Sequence, residues 1–299
     1  MINRVTQQTI QHSTLANLQK NLSKMSDLQG RMTSGKTITK PSDDPAGAGR
    51  AMALRADKAA ATQASRNVDD GLAWLSTIDT AIQSSISALG RARDLTVQGA
   101  NSGSVGATSR EAIATEIEGI RDSLLDLANT KVQGRTVFAG TSSSGVAFDD
   151  SASATPYAFN GTTGSTVERR ISPTATVRVD ADGEATFGTG ATSVFALLDN
   201  IAADLRGTAE VSDRLSEIDT RLDGMLSQVA DVGIRYKQVD DAQSTIAMTL
   251  QDATSNISGI EDIDLAETIM ELKMQEVAYE GALSASARVL QPTLMDFLR

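Results

Sequence analysis

The chain has 299 residues with 40% hydrophobic content, which is enough to fold more than one domain. Its 38 acidic residues outnumber the 27 basic ones, and the formal net charge of -11 would repel nucleic acid and anionic lipid. It contains no cysteine, which excludes disulfides, thiolate nucleophiles and cysteine-ligated metals, and its 3% aromatic content is typical of long paired helices filled by aliphatic residues.

The first predicted helix carries an apolar stripe with helical spacing: Leu15, Leu18, Leu22, Met25 and Met32. The stripe stops at Gly35, which can take the left-handed conformation that ends a helix, and Pro41 prevents the helix from resuming. Asp44 followed by Pro45 predicts the cap and the first turn of a new helix. Pro41, Asp43, Asp44 and Pro45 are therefore predicted to form a connector between two helices.

Two further helices are predicted before residue 130. The second begins at Pro45 and ends in the glycine-containing segment 98–103. The third begins at Thr108, because Thr108 and Glu111 have the spacing of a capping box. Both carry continuous apolar stripes, so we expect them to pack antiparallel within one helical bundle.

The pattern changes between about residues 135 and 190, where Gly, Ser and Thr accumulate and aromatic residues are concentrated. Alternating polar and apolar residues at 176–179 predict a strand, and segments 160–161 and 180–183 predict hairpin turns. A short helix over residues 194–205 is predicted to lead back to the bundle. This part of the chain is therefore predicted to be a small β-rich insertion.

The longest predicted helix covers residues 211–260, where apolar residues recur through seven heptads and only Gln243 interrupts the series. This period predicts a single helix that pairs with other helices in a left-handed supercoil. The phase of the pattern changes after residue 260. A last apolar stripe then follows a helix start at Asp264 and Glu267: Leu265, Ile269, Leu272, Tyr279, Leu283 and Leu290.

The predicted fold is mainly α, with long antiparallel helices, a coiled coil formed by the N- and C-terminal regions, and a small β-rich insertion in mid-chain. We expect three domains. Residues 1–40 and 261–299 form an inner terminal coiled coil, residues 41–135 and 206–260 a helical bundle, and residues 136–205 an outer β-rich domain with a short helix. The two terminal stripes should pair, but a lone pair of helices buries too little apolar surface to offset its ordering entropy. We therefore expect the ends to be loose in a free monomer and helical in an assembly.

Candidate catalytic residues are scarce. His12 is the only histidine, so a catalytic triad or a histidine-ligated zinc site would depend on it. The paired aspartates at 43–44, 149–150 and 240–241 are interpreted as a helix cap, a loop and a solvated helix face. Segment 180–184 resembles half of a calcium loop but lacks the EF-hand spacing, and no phosphate-binding or nucleophile-elbow motif occurs. The sequence predicts no enzyme, no cofactor and no metal.

No apolar run reaches 18 residues and no secretory signal is recognisable. Taken alone, this predicts a cytoplasmic protein, unless export uses an unfolded and uncleaved N-terminus. The amphipathic ends do not pair basic and aromatic residues on opposite faces, so a membrane surface is not an expected partner.

Two segments resemble the ends of bacterial flagellins. Residues 28–36 and 41–47 resemble the N-terminal signature of that family. Its C-terminal helix is similar to residues 262–267 together with Leu272, Gln275, Ala278, Leu290, Leu294 and the closing residues 296–299. The form of residues 41–45, the short insertion and the modest length look more like the junction-protein branch of the family, as does Thr37-Ile38-Thr39, where flagellins usually have Arg-Ile-Asn.

The resemblance implies a non-enzymatic adaptor, in which rings of subunits stand between hook-associated protein 1 and flagellin at the hook-filament junction. It also implies secretion in an unfolded state through the flagellar type III channel, with a cytosolic chaperone that holds the C-terminal region. Its implied assembly interface comprises Leu15, Leu18, Leu22, Met25, Met32, Leu265, Ile269, Leu272, Tyr279, Leu283, Leu290, Leu294 and Phe297. A short flagellin that forms the filament itself, or a cytoplasmic coiled-coil adaptor, is the alternative.

Overall fold

The structure is a computed structural model that describes residues 7–100, 106–150, 156–207 and 211–289. It is mainly helical, with short strands in mid-chain, as the sequence predicts. Its α-helices are α1 (Gln7–Ser34), α2 (Pro45–Ala100), α3 (Ala107–Ala128), α4 (Gly183–Phe187), α5 (Val194–Arg206), α6 (Arg214–Glu261) and α7 (Leu265–Val289). The strands are β1 (Lys131–Val132), β2 (Arg135–Thr136), β3 (Phe148–Asp149), β4 (Ala158–Phe159), β5 (Glu168–Arg170) and β6 (Thr176–Arg178).

The described residues divide into two compact units. One contains the chain up to Ala60 and from Thr249 onward, and the other contains Ala61–Met248. Helices α2 and α6 contribute to both units. The division into three domains stays a prediction.

Local chemistry sets several helix limits where the sequence predicts them. Gly35 has a φ of +68°, and its N–H donates to the carbonyl of Arg31 (2.8 Å), which ends α1. The side chain of Asp264 accepts bonds from two N–H groups in the first turn of α7, at 2.9 and 3.2 Å. The predicted capping box of α3 is wrong: the cap position is Gly106, which has no side chain, and Glu111 accepts bonds from Arg206 instead.

The heptad pattern of residues 211–260 is confirmed as a helix with one buried line. Seven residues spaced seven apart are at most 8% exposed: Val211, Ile218, Met225, Val232, Val239, Ile246 and Ala253. Helix α2 supplies a matching buried line, Val68, Leu75, Ile82 and Leu89. The two helices run antiparallel, because Arg93 bonds to Asp219 (2.6 Å) while Asp69, earlier in α2, bonds to Gln243, later in α6 (3.0 Å).

The β-rich part consists of three two-stranded antiparallel sheets, β1–β2, β3–β4 and β5–β6. The hairpin turn predicted at 160–161 is wrong, because β4 pairs with β3 before it and not with a strand after it. The turn predicted at 180–183 is also wrong. Asp182 instead caps α4 by accepting bonds from the N–H groups of Glu184 and Ala185, which starts a helix where a turn was expected. The core of this part is aromatic, with ring centroids 5.1 to 5.8 Å apart among Phe138, Phe148, Phe187 and Phe195.

Candidate assembly surface

Helices α1 and α7 form an antiparallel pair. The side chain of Gln275 donates to the carbonyl of Asn21 (3.3 Å), and the N–H of Ile263 donates to the carbonyl of Gly35 (3.2 Å). Later residues of α7 therefore lie beside earlier residues of α1. This contact confirms the prediction that the two terminal stripes pair.

The predicted stripe of α1 splits into two lines. Leu18, Met25 and Leu28 are half-buried and form one line along the helix. Leu15 is 59% and Leu22 is 50% exposed. At about 100° per residue, Leu15 and Leu22 point to one side of the line that packs on α7. Met32 is also exposed. Pairing within the chain therefore covers only part of the apolar surface of α1.

The predicted stripe of α7 splits in the same way. Leu272 is buried and Tyr279 is half-buried, whereas Leu265, Ile269 and Leu283 are exposed. The remaining predicted interface residues, Leu290, Leu294 and Phe297, lie outside the described residues. Of the described members of the predicted interface, six large side chains remain exposed: Leu15, Leu22, Met32, Leu265, Ile269 and Leu283.

Helix α7 also carries an apolar surface that our reading of the sequence missed. Met270, Met274 and Val277 are between 64% and 69% exposed. Their spacing of four and three residues is itself helical. The single stripe predicted along α7 does not include these three residues, although their own spacing indicates a second apolar stripe on another side of the helix.

A groove of about 470 Å³ runs between the two helices on the side of Met274. Its walls combine apolar side chains with charges of both signs, including Lys24 and Arg31 from α1 and Glu271 from α7. Sites for small molecules are usually lined mainly by apolar and aromatic groups. This lining is better suited to contact with another protein surface.

The predicted connector is built by two adjacent aspartates with different partners. Asp43 accepts bonds from the N–H groups of Thr39 and Lys40 and from the Thr39 hydroxyl, at 2.9 to 3.1 Å. These bonds, first that from Lys40, lower the pKa of Asp43. Asp44 caps α2 by accepting bonds from the N–H groups of Ala46 (3.1 Å) and Gly47 (3.0 Å). The capping role predicted for Asp44 is therefore confirmed.

A cluster of charged residues joins this connector to the end of α6. Glu261 is buried at 5% exposure, and its carboxylate contacts Arg55 Nη2 (2.6 Å) and Lys36 Nζ (3.4 Å). Lys36 also pairs with Asp262 (2.6 Å), and the N–H of Thr37 donates to the carbonyl of Glu261 (2.6 Å). The bond with Asp262 raises the pKa of Lys36 and lowers that of Asp262. We did not foresee this cluster, because Lys36 and Glu261 are far apart in sequence.

The described residues contain no group of three or more His, Cys, Asp or Glu side chains placed to hold a metal ion. His12 lies exposed on α1. Within the described ranges, no helix has the length and apolar character needed to cross a bilayer.

Two family models match this chain. The bacterial flagellin N-terminal helical region matches residues 5–143, and the bacterial flagellin C-terminal helical region matches residues 215–298. Flagellar hook-associated protein 3 of Escherichia coli K12 is 27% identical over 289 residues, which cover 85% of this chain and 87% of that protein. The flagellin of Bacillus subtilis 168 is 24% identical over 298 residues, which cover 96% and 97%.

The fold is also that of a solved structure. A flagellar hook-associated protein from Vibrio parahaemolyticus is similar with a TM-score of 0.67 and 22% sequence identity. The match covers 74% of this chain and 100% of that one.

Proposed function

Because the chain belongs to the flagellin family, we propose that it is a structural subunit of the bacterial flagellum that joins the hook to the flagellin filament. One observation carries this proposal: the α1–α7 pair leaves large aliphatic side chains exposed along both helices. Exposed apolar surface of this extent on a paired helix is typical of an interface with other proteins. Lateral packing of several copies would cover it.

We propose that the subunit stands between hook-associated protein 1 and flagellin, in a ring with copies of itself. The similarity to flagellar hook-associated protein 3 over most of both chains supports this position. The subunit would be exported unfolded, with a cytosolic chaperone at its C-terminal region. It would act by shape and surface, without catalysis, a cofactor or a metal. The terminal coiled coil would form an inner domain, the helical bundle the next, and the β-rich part the outer one.

A short flagellin is the second candidate, because the Bacillus subtilis flagellin matches nearly the full length of this chain. Immunogold labelling of intact flagella separates the two functions. We expect a narrow band of label where the hook meets the filament, and label along the whole filament would instead favour a flagellin. Protein found inside cells and absent from sheared flagella would favour a cytoplasmic adaptor.

A second test uses purified protein. A flagellin should grow long filaments from its own monomers when seeded, whereas a junction subunit should add only a few layers and then require flagellin. Electron microscopy of seeded growth, with and without added flagellin, measures the difference.

A further inference from the structure

Methionine is the residue type through which this chain is open to oxidation. Sulfur-containing side chains are the common targets of oxidants in proteins, and the chain has nine methionines and no cysteine. Met225 is 0% exposed, whereas Met52, Met248, Met270 and Met274 are at least 60% exposed. An oxidant in solution therefore reaches these four thioethers but not that of Met225.

Met270 and Met274 lie together on one surface. They are one helical turn apart on α7, on a side that the packing of α7 on α1 leaves exposed. Met274 also lines the groove of about 470 Å³, which is large enough to admit a small oxidant. Met52 and Met248 are equally accessible but lie on α2 and α6. Oxidation of α7 would thus change two neighbouring side chains of the same apolar surface.

We propose that Met270 and Met274 are modification sites at which hydrogen peroxide converts the unassembled subunit into a form that is not incorporated. The sulfur lone pair attacks one peroxide oxygen, the O–O bond breaks and an S–O bond forms. The departing hydroxide takes the proton of the transferred hydroxyl and leaves as water. Each sulfur is oxidised by two electrons to the sulfoxide, and the peroxide is reduced.

The modification changes what α7 offers to a neighbouring protein. A methionine side chain is flexible and apolar, whereas its sulfoxide is polar and carries a hydrogen-bond acceptor. Burying such an acceptor without a donor is costly. The inference rests on the proposed function, in which neighbouring subunits cover the apolar surface that the α1–α7 pair leaves exposed. An oxidised copy would be excluded, and a methionine sulfoxide reductase would restore it.

Peptide mass spectrometry tests where the oxygen is added. The purified full-length chain is treated with hydrogen peroxide, the reaction is stopped with catalase, and sulfoxide is measured at each methionine over time. We expect Met270 and Met274 to be oxidised at least about tenfold faster than Met225, because exposure controls access to the sulfur. Equal rates at the buried and exposed methionines would overturn the proposal.

Seeded assembly tests the effect of the modification. The seeds are hook fragments that carry hook-associated protein 1, and an immunoblot measures how much of the chain sediments with them. We expect peroxide to lower this amount about tenfold for wild type. For Met270→Leu with Met274→Leu, which keeps apolar side chains of similar volume but removes both sulfur atoms, we expect less than about a twofold change.

Met52→Leu with Met248→Leu is the matched control. It removes two sulfur atoms of similar exposure from other helices, so it should remain as sensitive to peroxide as wild type. Treatment of the oxidised wild-type chain with a methionine sulfoxide reductase and a thiol should restore at least about half of the binding. The thiol has no disulfide to reduce, because the chain contains no cysteine. Circular dichroism checks that each sample keeps its helices.

Three results of the assembly test would overturn the proposal: unchanged sedimentation of peroxide-treated wild type, an equal loss for Met270→Leu with Met274→Leu, or no recovery with the reductase. Failure of the untreated wild-type chain to sediment with the hook fragments would instead contradict the proposed function. The sites of oxidation would still be tested by mass spectrometry, so the two failures are distinguishable.

Discussion

Glu261 is a buried carboxylate that two cationic side chains contact. Its carboxylate lies almost out of solvent between Arg55 and Lys36, and its own backbone carbonyl accepts a bond from Thr37. Burying a carboxylate is costly unless its partners remain in place. Glu261 therefore holds the end of α6, the connector and α2 together in one small cluster.

Glu261→Ala should lower the free energy of unfolding by about 1 to 3 kcal/mol, because it removes the carboxylate that pairs with Arg55 and one of the two carboxylates that contact Lys36. Partial exposure of both cations keeps the loss below that of a fully buried pair. Glu276→Ala is the control, since its ion pair with Lys273 lies within one exposed helix, and we expect a change within about 0.5 kcal/mol. Urea unfolding followed by helical circular dichroism measures both. Equal losses would contradict the role assigned to Glu261.

The lowered pKa of Asp262 predicts that the stability of the fold depends on pH. Its pKa is lowered from 3.8 in the folded chain by the bond with Lys36, so folding favours the carboxylate. The stabilisation is present above the unfolded pKa and is lost as the pH falls through the folded pKa. At neutral pH, Asp262→Asn should unfold at a lower urea concentration than wild type. The difference should shrink as the pH falls below about 4 and the Asp262 carboxylate becomes protonated. A difference that does not change with pH in this acid range would contradict the prediction.

At the scale of elements, a local cap and a distant partner have separate effects on the same helix. The start of α2 is decided locally by Asp44 and Pro45. The buried line of α2 depends on α6, which is more than a hundred residues away in sequence. Helix position was therefore predictable, whereas the burial of each line depended on the partner.

Gly47 shows how tightly the α2 cap is packed. A Cβ added there would overlap the Asp44 carboxylate and lie 2.8 Å from Ile38 Cδ1, so Gly47→Ala should displace the cap and cost about 1 kcal/mol. Gly49 in the same helix has nothing within 4 Å, and Gly49→Ala should stabilise the chain by about 0.5 to 1 kcal/mol. Thermal unfolding of both variants gives the comparison. A change in stability in the same direction for both variants would contradict the packing argument.

Alanine substitutions at the adjacent residues Met225 and Leu226 test whether the heptad line of α6 is buried. Met225 is 0% exposed, whereas Leu226 is 53% exposed. Met225→Ala should cost about 2 to 5 kcal/mol through lost burial and a cavity, and Leu226→Ala should change stability by less than about 0.5 kcal/mol. Urea unfolding is again the measurement. A large loss for Leu226→Ala would mean that this face of α6 is covered.

At the scale of the whole molecule, the two compact units differ in how they bury apolar residues. The unit from Ala61 to Met248 contains an aromatic cluster, the buried line of α2 and all of the buried line of α6 except Ala253. The α1–α7 pair has few fully buried side chains, with Leu272 as its one large buried hydrophobic residue among those described. Its stability should therefore depend on neighbouring copies.

Hydrogen exchange measures this dependence. In the purified chain at low concentration, we expect the amides of α1 and α7 to exchange about a hundredfold faster than those of the buried line of α6. In assembled flagella the terminal helices should become comparably protected, because added burial would offset the entropy of ordering them. Full protection of α1 and α7 in the dilute monomer would show that the pair is stable alone.

The sequence by itself determined the long helices, most of their ends and the pairing of the two terminal stripes. Caps such as Asp44 and Asp264 act on residues two or three positions away, and heptads repeat within one segment. Both signals are local in sequence, so they can be recognised without knowledge of the tertiary structure. The tertiary structure alone decided which heptad line is buried, placed Lys36 beside Glu261 and left Met270, Met274 and Val277 exposed on α7. It also replaced a predicted hairpin turn with the start of α4. These features depend on contacts between residues far apart in sequence, which local periodicity and capping rules do not contain.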